Sequence, residues 1–487
     1  MFQACEENDV ESIEALLQAG ADVIILCSAS RDEFAASVDP QHMPGGSAPL
    51  EAFCARRSPP HRNPTSEPGT DDLERGLELL LQAGADTNRR DEELKTPLHH
   101  AASRPVLLRL LLRAGADPNS ESEDGSTLLH TQLNGEEGWE VVKLLVEEGK
   151  ADINKRRDEG GETPLLVLLE KPKDLTACLR FIQNFGPDCA VSDNDGNTPL
   201  HKVASLREMP LWDEVVDALL AQGAKIDQRN QKGDMAIHVA NDTQIIEFLV
   251  NRGTNLEAQD YEGRTALMRT LYHSQFHSER ESVTHLLRLD ARLDTRDFKG
   301  STLLHVGLRN LSLCSWRTCE DRWDDLQHLV KLGLDPTQVD HAGNTLLHEL
   351  MRLGPQGRLP SGVCLRLTAF QYLVEKGVDP NAANHCGHTV FHVLAGKNYD
   401  KSMFDAASAW CRKETLELPD QGGNRPIHLA ATVSAATADA IMKAGADVSA
   451  STYNGSTPLH LAAAKGESNA LGMLLTAIRT MNRTRKV

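Results

Sequence analysis

Short stripes of apolar residues recur along the chain, each about three turns of helix long. Val141-Val142-Lys143-Leu144-Leu145 and the run from Leu107 to Leu112 place apolar residues at helical spacing with charged residues between them. Stretches rich in Asp and Asn that close in Gly, such as Asp193–Gly196 and Asp260–Gly263, lie between the stripes. This alternation predicts pairs of short amphipathic helices joined by tight turns.

One tetrad recurs in step with the stripes. Thr96-Pro97-Leu98-His99 returns as Thr198-Pro199-Leu200-His201 and as Thr457-Pro458-Leu459-His460. Weaker copies begin at residues 127, 163, 235, 265, 302, 345, 389 and 425. A second phrase related to Leu-Leu-x-x-Gly-Ala-Asp follows many of these openings. Repetition at a spacing of 30 to 44 residues indicates a repeat architecture.

The tetrad and its spacing resemble the ankyrin repeat family, whose unit of 33 residues has a T-P-L-H-x-A opening, two helices and a β-turn. The resemblance implies an all-α ankyrin solenoid with short β-turn fingers. It also implies that the tetrad His bonds adjacent repeats together, and that turn tips and the concave face of the first helices bind proteins. About thirteen repeats are expected.

The repeats divide the chain into three parts. Residues 1–47 read as a degenerate N-terminal repeat with an extended finger, and residues 48–95 as a degenerate repeat with a Pro-rich loop at 56–70. Residues 96–487 hold the remaining repeats, which start near 96, 127, 163, 198, 235, 265, 302, 345, 389, 425 and 457. The last of them forms the C-terminal cap.

The residue types that recur at fixed positions of the repeat each have a physical reason. The Thr hydroxyl can cap the first helix, and Pro beside it occupies the first helical position, where no amide bond is lost. Gly115, Gly223, Gly333, Gly377 and Gly445 follow second helices, where a left-handed conformation ends a helix. Stacked repeats share their cores, which explains how 4% aromatic residues suffice.

Composition narrows the classes of partner. The 487 residues carry 51 Lys and Arg against 70 Asp and Glu, a net charge of −19, which disfavours nucleic acid and anionic membranes. No apolar run is long enough to span a membrane. Ten scattered cysteines without a C-x-x-C pair, and an acidic N-terminus without a secretory signal, favour cytosol or nucleus.

No catalytic constellation is apparent, so the chain is predicted not to be an enzyme and to need no cofactor, metal or small-molecule substrate. Nine histidines occupy tetrad positions. A group that recurs from repeat to repeat is structural rather than catalytic, because an active site is needed only once. Cys314 and Cys319, with His305 and His328 nearby, lack the tight pairs typical of zinc sites. The G-x-S-x-G, P-loop and G-x-G-x-x-G motifs are absent.

The turn tips are the candidate contact surface. The tip is the residue two positions before the turn Gly, and the aligned tips are Asn194, Gln231, Tyr261, Phe298, His341, His385 and Tyr453. The last five are aromatic or imidazole and are the predicted partner-binding residues, since aromatics are enriched in binding hot spots. The alternative is that the rings only lean on one another. Acidic neighbours Asp260, Glu262, Asp297 and Asp340 favour a basic partner.

The sequence therefore predicts a non-enzymatic scaffold or adaptor, expected to be monomeric, that binds a protein partner basic or apolar at its contact. Two alternatives stay open: a regulatory subunit or fragment of a larger enzyme, and a substrate receptor of a ubiquitin ligase. The Pro-rich segment 28–70 is either a passive insertion or a docking segment. Extra residues near 311–323 and 353–364 are expected between helices as further contact candidates.

Overall fold

The computed structural model describes residues 4–5, 9–21, 49–55, 70–91, 93–133, 138–158, 160–170, 172, 175–206, 209–240, 242–273, 279–310, 316–352, 365–397 and 401–484. Contacts between Cα atoms divide the chain into an N-terminal unit, Met1–Gln231, and a C-terminal unit, Lys232–Val487. Most of the segment 28–70 lies outside the described residues, apart from the helix Pro49–Ala55 near the start of the predicted degenerate repeat 48–95. The predicted repeat boundaries there stay predictions.

The described part of the N-terminal unit is a series of short helices joined by turns. Leu144–Glu148 extends the helix before it as a π-helical turn. The α-helices are Val10–Gln18, Pro49–Ala55, Thr70–Gln82, Pro97–His100, Pro105–Arg113, Leu128–Gln132, Gly138–Lys143, Pro164–Glu170, Thr176–Phe185, Pro199–Ala204 and Trp212–Ala221.

The C-terminal unit continues the same alternation. Its α-helices are Ala236–Val239, Thr243–Asn251, Ala266–His273, Glu279–Arg288, Leu303–Asn310, Trp316–Lys331, Leu346–Arg352, Leu365–Glu375, Val390–Ala395, Lys401–Trp410, Pro426–Ala430, Ala435–Lys443, Pro458–Lys465 and Ser468–Thr484. A 3₁₀ turn, Lys413–Glu417, precedes one of the turns.

The insertion expected between helices near residues 311–323 proves to be largely helical. Residues 316–323 form the first half of the helix Trp316–Lys331, so the insertion lengthens a second helix and does not form a long loop. Residues 311–315 and 353–364 lie outside the described residues.

Within each unit, first helices of successive repeats pack side by side, as do second helices. Among the described residues no strand forms, and one isolated bridge joins Glu121 and Thr127. The all-α solenoid architecture is thereby confirmed. No helix of the described chain has both the length and the apolar character that crossing a bilayer requires.

The core is built from the third position of the tetrad. Leu98, Leu165 and Leu200 are at most 1% exposed, and Leu459 is half-buried. Burying a leucine side chain is worth about 1.5–3 kcal/mol. Because the leucines of each repeat are covered by the next, stability comes from stacking.

The tetrad His contributes to the helix start in a way that the sequence did not reveal. In the repeat that starts at Thr345, the ring nitrogen Nδ1 of His348 accepts a hydrogen bond from the Thr345 N–H at 3.2 Å. The same bond forms at residues 235 and 425, where Met and Arg offer no hydroxyl. The His ring therefore satisfies an amide at the helix N-terminus whether or not Thr precedes it.

Two repeats have no tetrad His, and in them the Thr hydroxyl acts as the cap. The Thr163 Oγ1 accepts from the Leu166 N–H at 3.5 Å, and the Thr265 Oγ1 accepts from the Met268 N–H at 3.4 Å. These bonds are long, so the hydroxyl is a weaker cap here than the ring is elsewhere. We therefore expect these two repeats to be held to their neighbours less strongly than the repeats that have a tetrad His.

The second ring nitrogen joins repeats, as the family resemblance implies. The Nε2 atoms of His305, His348 and His392 lie 3.1, 2.8 and 3.0 Å from the backbone oxygens of Asn344, His388 and Asn424. Because Nδ1 accepts a backbone N–H, the proton resides on Nε2, which donates to the next repeat. Each such His is thus a neutral ring with both nitrogens in use.

Burial keeps these rings uncharged. It lowers the pKa of His99, His130 and His392 to about 4, far below the value of about 6.5 in an unfolded chain. A protonated ring would lose its acceptor at Nδ1 and charge a desolvated site. The stability from these rings is therefore complete above pH 6.5 and lost as the pH falls towards 4.

We expect the free energy of unfolding, measured by urea titration, to fall steadily between pH 6.5 and pH 5. Replacing His392 with Gln should make that dependence shallower by about 1 kcal/mol per pH unit, since one titrating proton is removed. An identical pH profile for wild type and His392→Gln would contradict the assignment of a buried neutral ring.

Candidate functional site: the turn tips and the cleft beneath them

Each turn between repeats is organised by a buried side chain at its base. The Oδ1 atom of Asp260 accepts from the Glu262 and Arg264 amides, each at 2.8 Å. Asp297, Asp340, Asn384 and Asp420 bond the amides two and four residues ahead in the same way. The Asp or Asn side chain at the base therefore fixes the shape of the turn on which the tip residue lies.

A backbone ladder then links each tip to the turn before it. The Phe298 and His341 amides donate to the Glu262 and Lys299 carbonyls, each at 2.9 Å. The Tyr261 amide donates to the Lys232 carbonyl at 3.1 Å. The N-terminal unit has the same bond from Asn194 to Gly160, at 2.7 Å. One hydrogen bond per repeat therefore sets the position of every linked tip.

The tip rings lie over the glycine of the preceding turn. A Cβ atom added at Gly263 would lie 2.6 Å from the Phe298 ring, and one at Gly233 would lie 2.6 Å from the Tyr261 ring. Gly263 also has φ +81°, which other residues adopt at a cost. Glycine is required at this turn for two reasons: its backbone conformation and the ring packed on its face.

The rings remain exposed despite this contact. Tyr261, Phe298 and Tyr453 expose 63, 65 and 75% of their surface, and His341 and His385 are exposed as well. The five predicted partner-binding residues thus occupy equivalent turn positions in one unit. Their rings pack on the glycine of the preceding turn. That they bind a partner stays a prediction.

Gln421 is a tip of the C-terminal unit that was left out of the sequence alignment. It precedes Gly423 by two residues, is exposed, and donates its backbone amide to the Cys386 carbonyl at 2.9 Å. It separates Tyr453 from the run of four ring-bearing tips that ends at His385. The Asp420-Gln421-Gly422-Gly423 sequence carried the signal, because its spacing equals that of the other turns.

The prediction that acidic neighbours of the tips attract a basic partner rested on the wrong placement of three residues. Asp260, Asp297 and Asp340 are only 2, 7 and 6% exposed, because they bond the amides of their own turns. Burial alone would raise the pKa of Asp260 and Asp340, yet hydrogen bonds from amides, Arg264 and Asn344 hold both pKa values below the usual range. Of the four neighbours only Glu262 projects into water.

A cleft of about 630 Å³ lies beneath the tips of three consecutive turns in the C-terminal unit. Arg309 lies among its lining residues, with Nη1 3.7 Å from Asp297 Oδ2 and Nη2 4.0 Å from Asp340 Oδ2. Its Nε donates to Glu349, which also pairs with Arg352 at 3.3 Å. These buried acids are therefore neutralised within the cleft.

The solvent side of the cleft is different in chemistry. Lys299, His341 and Arg352 line it and are exposed, and Glu262 is the exposed acid. The groups that a partner meets first are therefore hydrogen-bond donors beside a row of rings.

The net negative charge of the chain comes entirely from the N-terminal unit. Residues 1–231 hold 42 Asp and Glu against 23 Lys and Arg, whereas residues 232–487 hold 28 of each. The turns of the N-terminal unit expose acids at or beside the tip position: Glu93, Glu123, Asp124, Asp158 and Asp195. The exposed turn residues therefore differ between the units, with acids beside the amide tips Asn194 and Gln231 in the first and mostly rings in the second.

Burial raises the pKa of the Cys5, Cys54 and Cys411 thiols to about 12, so they stay protonated near neutral pH. No group of three His, Cys, Asp or Glu able to hold a metal ion occurs in the described chain. Cys314 and the Cys319 side chain, considered above for zinc, lie outside what the structure describes.

Comparison with known proteins accords with the geometry. Residues 71–157 match a family model described as ankyrin repeats in three copies, and residues 195–231 match one described as a single ankyrin repeat. The chain therefore contains ankyrin repeats, as its tetrads predict. The expected count of about thirteen stays a prediction.

Two relatives are similar to parts of the chain. Human Rabankyrin-5 is 32% identical over 122 residues, which are 24% of this chain and 10% of that protein. The mouse B-cell lymphoma 3 protein homolog is 27% identical over 206 residues, 40% of this chain and 41% of that protein. The match spans less than half the length of either relative.

Glycine beneath a ring should tolerate substitution less well than glycine elsewhere. We expect Gly263→Ala to destabilise the protein by more than twice the cost of Gly253→Ala. Gly253 has a similar φ, +91°, with nothing within 4 Å of an added Cβ, so it carries only the backbone cost of about 1–2 kcal/mol. Urea unfolding of both variants measures the difference. Equal losses would show that the Phe298 ring does not pack on Gly263.

Proposed function

We propose that this chain is a non-enzymatic interaction scaffold that holds a protein partner against the tips and cleft of the C-terminal unit. Ankyrin repeats are generally protein-interaction modules, and this chain contains them. The observation that carries the proposal is the run of four consecutive tips, Tyr261, Phe298, His341 and His385, which expose their rings at equivalent positions.

Exposed rings held on rigid backbone suit binding. Each ring has few rotatable bonds, and its inner face is already packed on glycine, so a partner that covers it loses little conformational entropy. Contiguous exposed apolar groups are uncommon on surfaces without a partner. The arrangement therefore supports an interface in which these rings are the main energetic contacts.

The charge distribution favours an apolar contact on this surface. The unit has equal numbers of acids and bases, and the acids at the turn bases are buried and bonded. A basic partner would find its complement on the acidic turns of the N-terminal unit instead. The two possibilities differ in their response to salt, because only exposed charges are screened.

The alternatives from the sequence stay open at the level of biology. A regulatory subunit would use the same surface to contact an associated enzyme, and a ubiquitin ligase receptor would need a docking segment such as 28–70. A reducing compartment, cytosol or nucleus, suits the reduced thiols of Cys5, Cys54, Cys189 and Cys411. We also propose that the protein is a monomer.

The decisive experiment compares a triple variant with a double control variant. Tyr261→Ser, Phe298→Ser and Tyr453→Ser together remove rings, while Asn194→Ser and Gln231→Ser change non-aromatic tips of the N-terminal unit. We expect the first variant to bind captured protein partners at least about 10-fold more weakly, since each hot spot is worth about 2 kcal/mol or more. Circular dichroism should be unchanged in both.

Binding to the control variant should equal that of wild type and should vary little between 50 and 500 mM salt. Partners that bind the ring-deleted variant at full strength would refute the proposed surface. If binding instead falls with salt equally steeply in all three proteins, the partner contacts the acidic turns of the N-terminal unit and not the rings.

A further inference from the structure

We infer that the segment bound by the tips is an uncharged, proline-rich stretch in the polyproline II conformation, with an apolar side chain at every third residue. This inference rests on the proposed function, because it names the chemistry of the partner at that surface. Three arguments carry it: the spacing of the tips expected from helix packing, the donors beside them and the neutrality of the unit.

The spacing comes from the stacking of repeats. Successive first helices pack side by side, and packed helices lie about 8–10 Å apart. The tip ladder repeats once per helix pair. We therefore expect neighbouring tips such as Tyr261 and Phe298 to share that spacing. A polyproline II helix has three residues per turn and advances about 9.3 Å in that turn. One side of such a segment therefore presents one side chain to each tip.

Other backbone conformations fit the row less well. A β-strand repeats its side chains on one face about every 6.6–6.8 Å, which drifts out of register by the second tip. An α-helix returns to the same face about every 5.4 Å, so only every second turn would meet a ring. The polyproline II repeat is the one that matches each successive tip.

The donors of the cleft favour the same backbone. Lys299, His341 and Arg352 line the cleft and are exposed there. The carbonyl groups of an α-helix are bonded within the helix, whereas those of polyproline II are free to accept. A segment lying along Tyr261, Phe298 and His341 would thus meet rings on its apolar edge and donors at its carbonyls.

Charge supports an uncharged occupant. The C-terminal unit has 28 acids and 28 bases, and Asp297, Asp340 and Glu349 are already paired with arginines. A strongly basic or acidic segment would gain little from this surface. A segment without charges would bind with the same strength at low and high salt.

The test uses two fluorescent peptides and the full chain. One peptide carries four Leu-Pro-Pro triplets, and the other has the same composition with the leucines placed so that no two are three residues apart. Anisotropy titrations are run with wild type, with Phe298→Ser, and with Asn194→Ser as the matched tip in the other unit.

We expect the triplet peptide to bind wild type and Asn194→Ser equally. Binding should weaken at least about 10-fold when the peptide is scrambled or when the protein is Phe298→Ser. It should change less than about twofold between 50 and 500 mM salt.

Three results would overturn the inference: equal binding of both peptides, undetectable binding of the triplet peptide, or tighter binding of a Leu-rich amphipathic helical peptide of the same length. If the ring-deleted triple variant still loses its captured partners in those cases, the proposed surface stands and only the chemistry of its occupant is refuted. If the triple variant keeps its partners as well, both fail.

Discussion

The hydrogen bond from a tip amide to the carbonyl of the preceding turn, present at each aligned tip from Asn194 to Gln421, is the constraint on which the candidate site depends. It holds Phe298 2.9 Å from the Glu262 oxygen, and so fixes the turn of one repeat against the turn before it. A ring placed there must lie over the preceding glycine, which leaves no room for a Cβ at Gly263. The same bond keeps the outer face of the ring in solvent. Spacing, glycine requirement and exposure of the tips therefore share one cause.

The tetrad His supplies the complementary link on the helix side. Its Nδ1 closes the start of its own helix, and the Nε2 of His348 reaches the next repeat at 2.8 Å. Both bonds require an uncharged ring, and burial provides it by lowering the pKa of these histidines. The fold and its acid sensitivity thus arise from the same side chain. The two kinds of link, turn to turn and ring to carbonyl, hold the stack while leucines fill its core.

Much of the fold could be predicted from the sequence, because the tetrad and the turn glycines are local signals with local causes. The exposed tips were also predictable, since the spacing to the turn Gly places Tyr261 and Phe298. Burial of Asp260 was not, because a carboxylate that bonds its own turn looks the same in sequence as one that faces water. The helix from Trp316 resembles an inserted loop for a related reason: extra residues between two helices can extend either one. The cleft near Arg309 joins residues of three repeats, and no local pattern reports that convergence.

The most direct test of this account is amide hydrogen exchange at the Phe298 tip in the native protein. Because that N–H is bonded to the preceding turn, it should exchange as slowly as the interior amides of the neighbouring helix Leu303–Asn310. Exchange at the rate of an unstructured chain, while those helix amides stay protected, would show that the turns are not tied together. The spacing of the rings, and the interface proposed from it, would then have no structural basis.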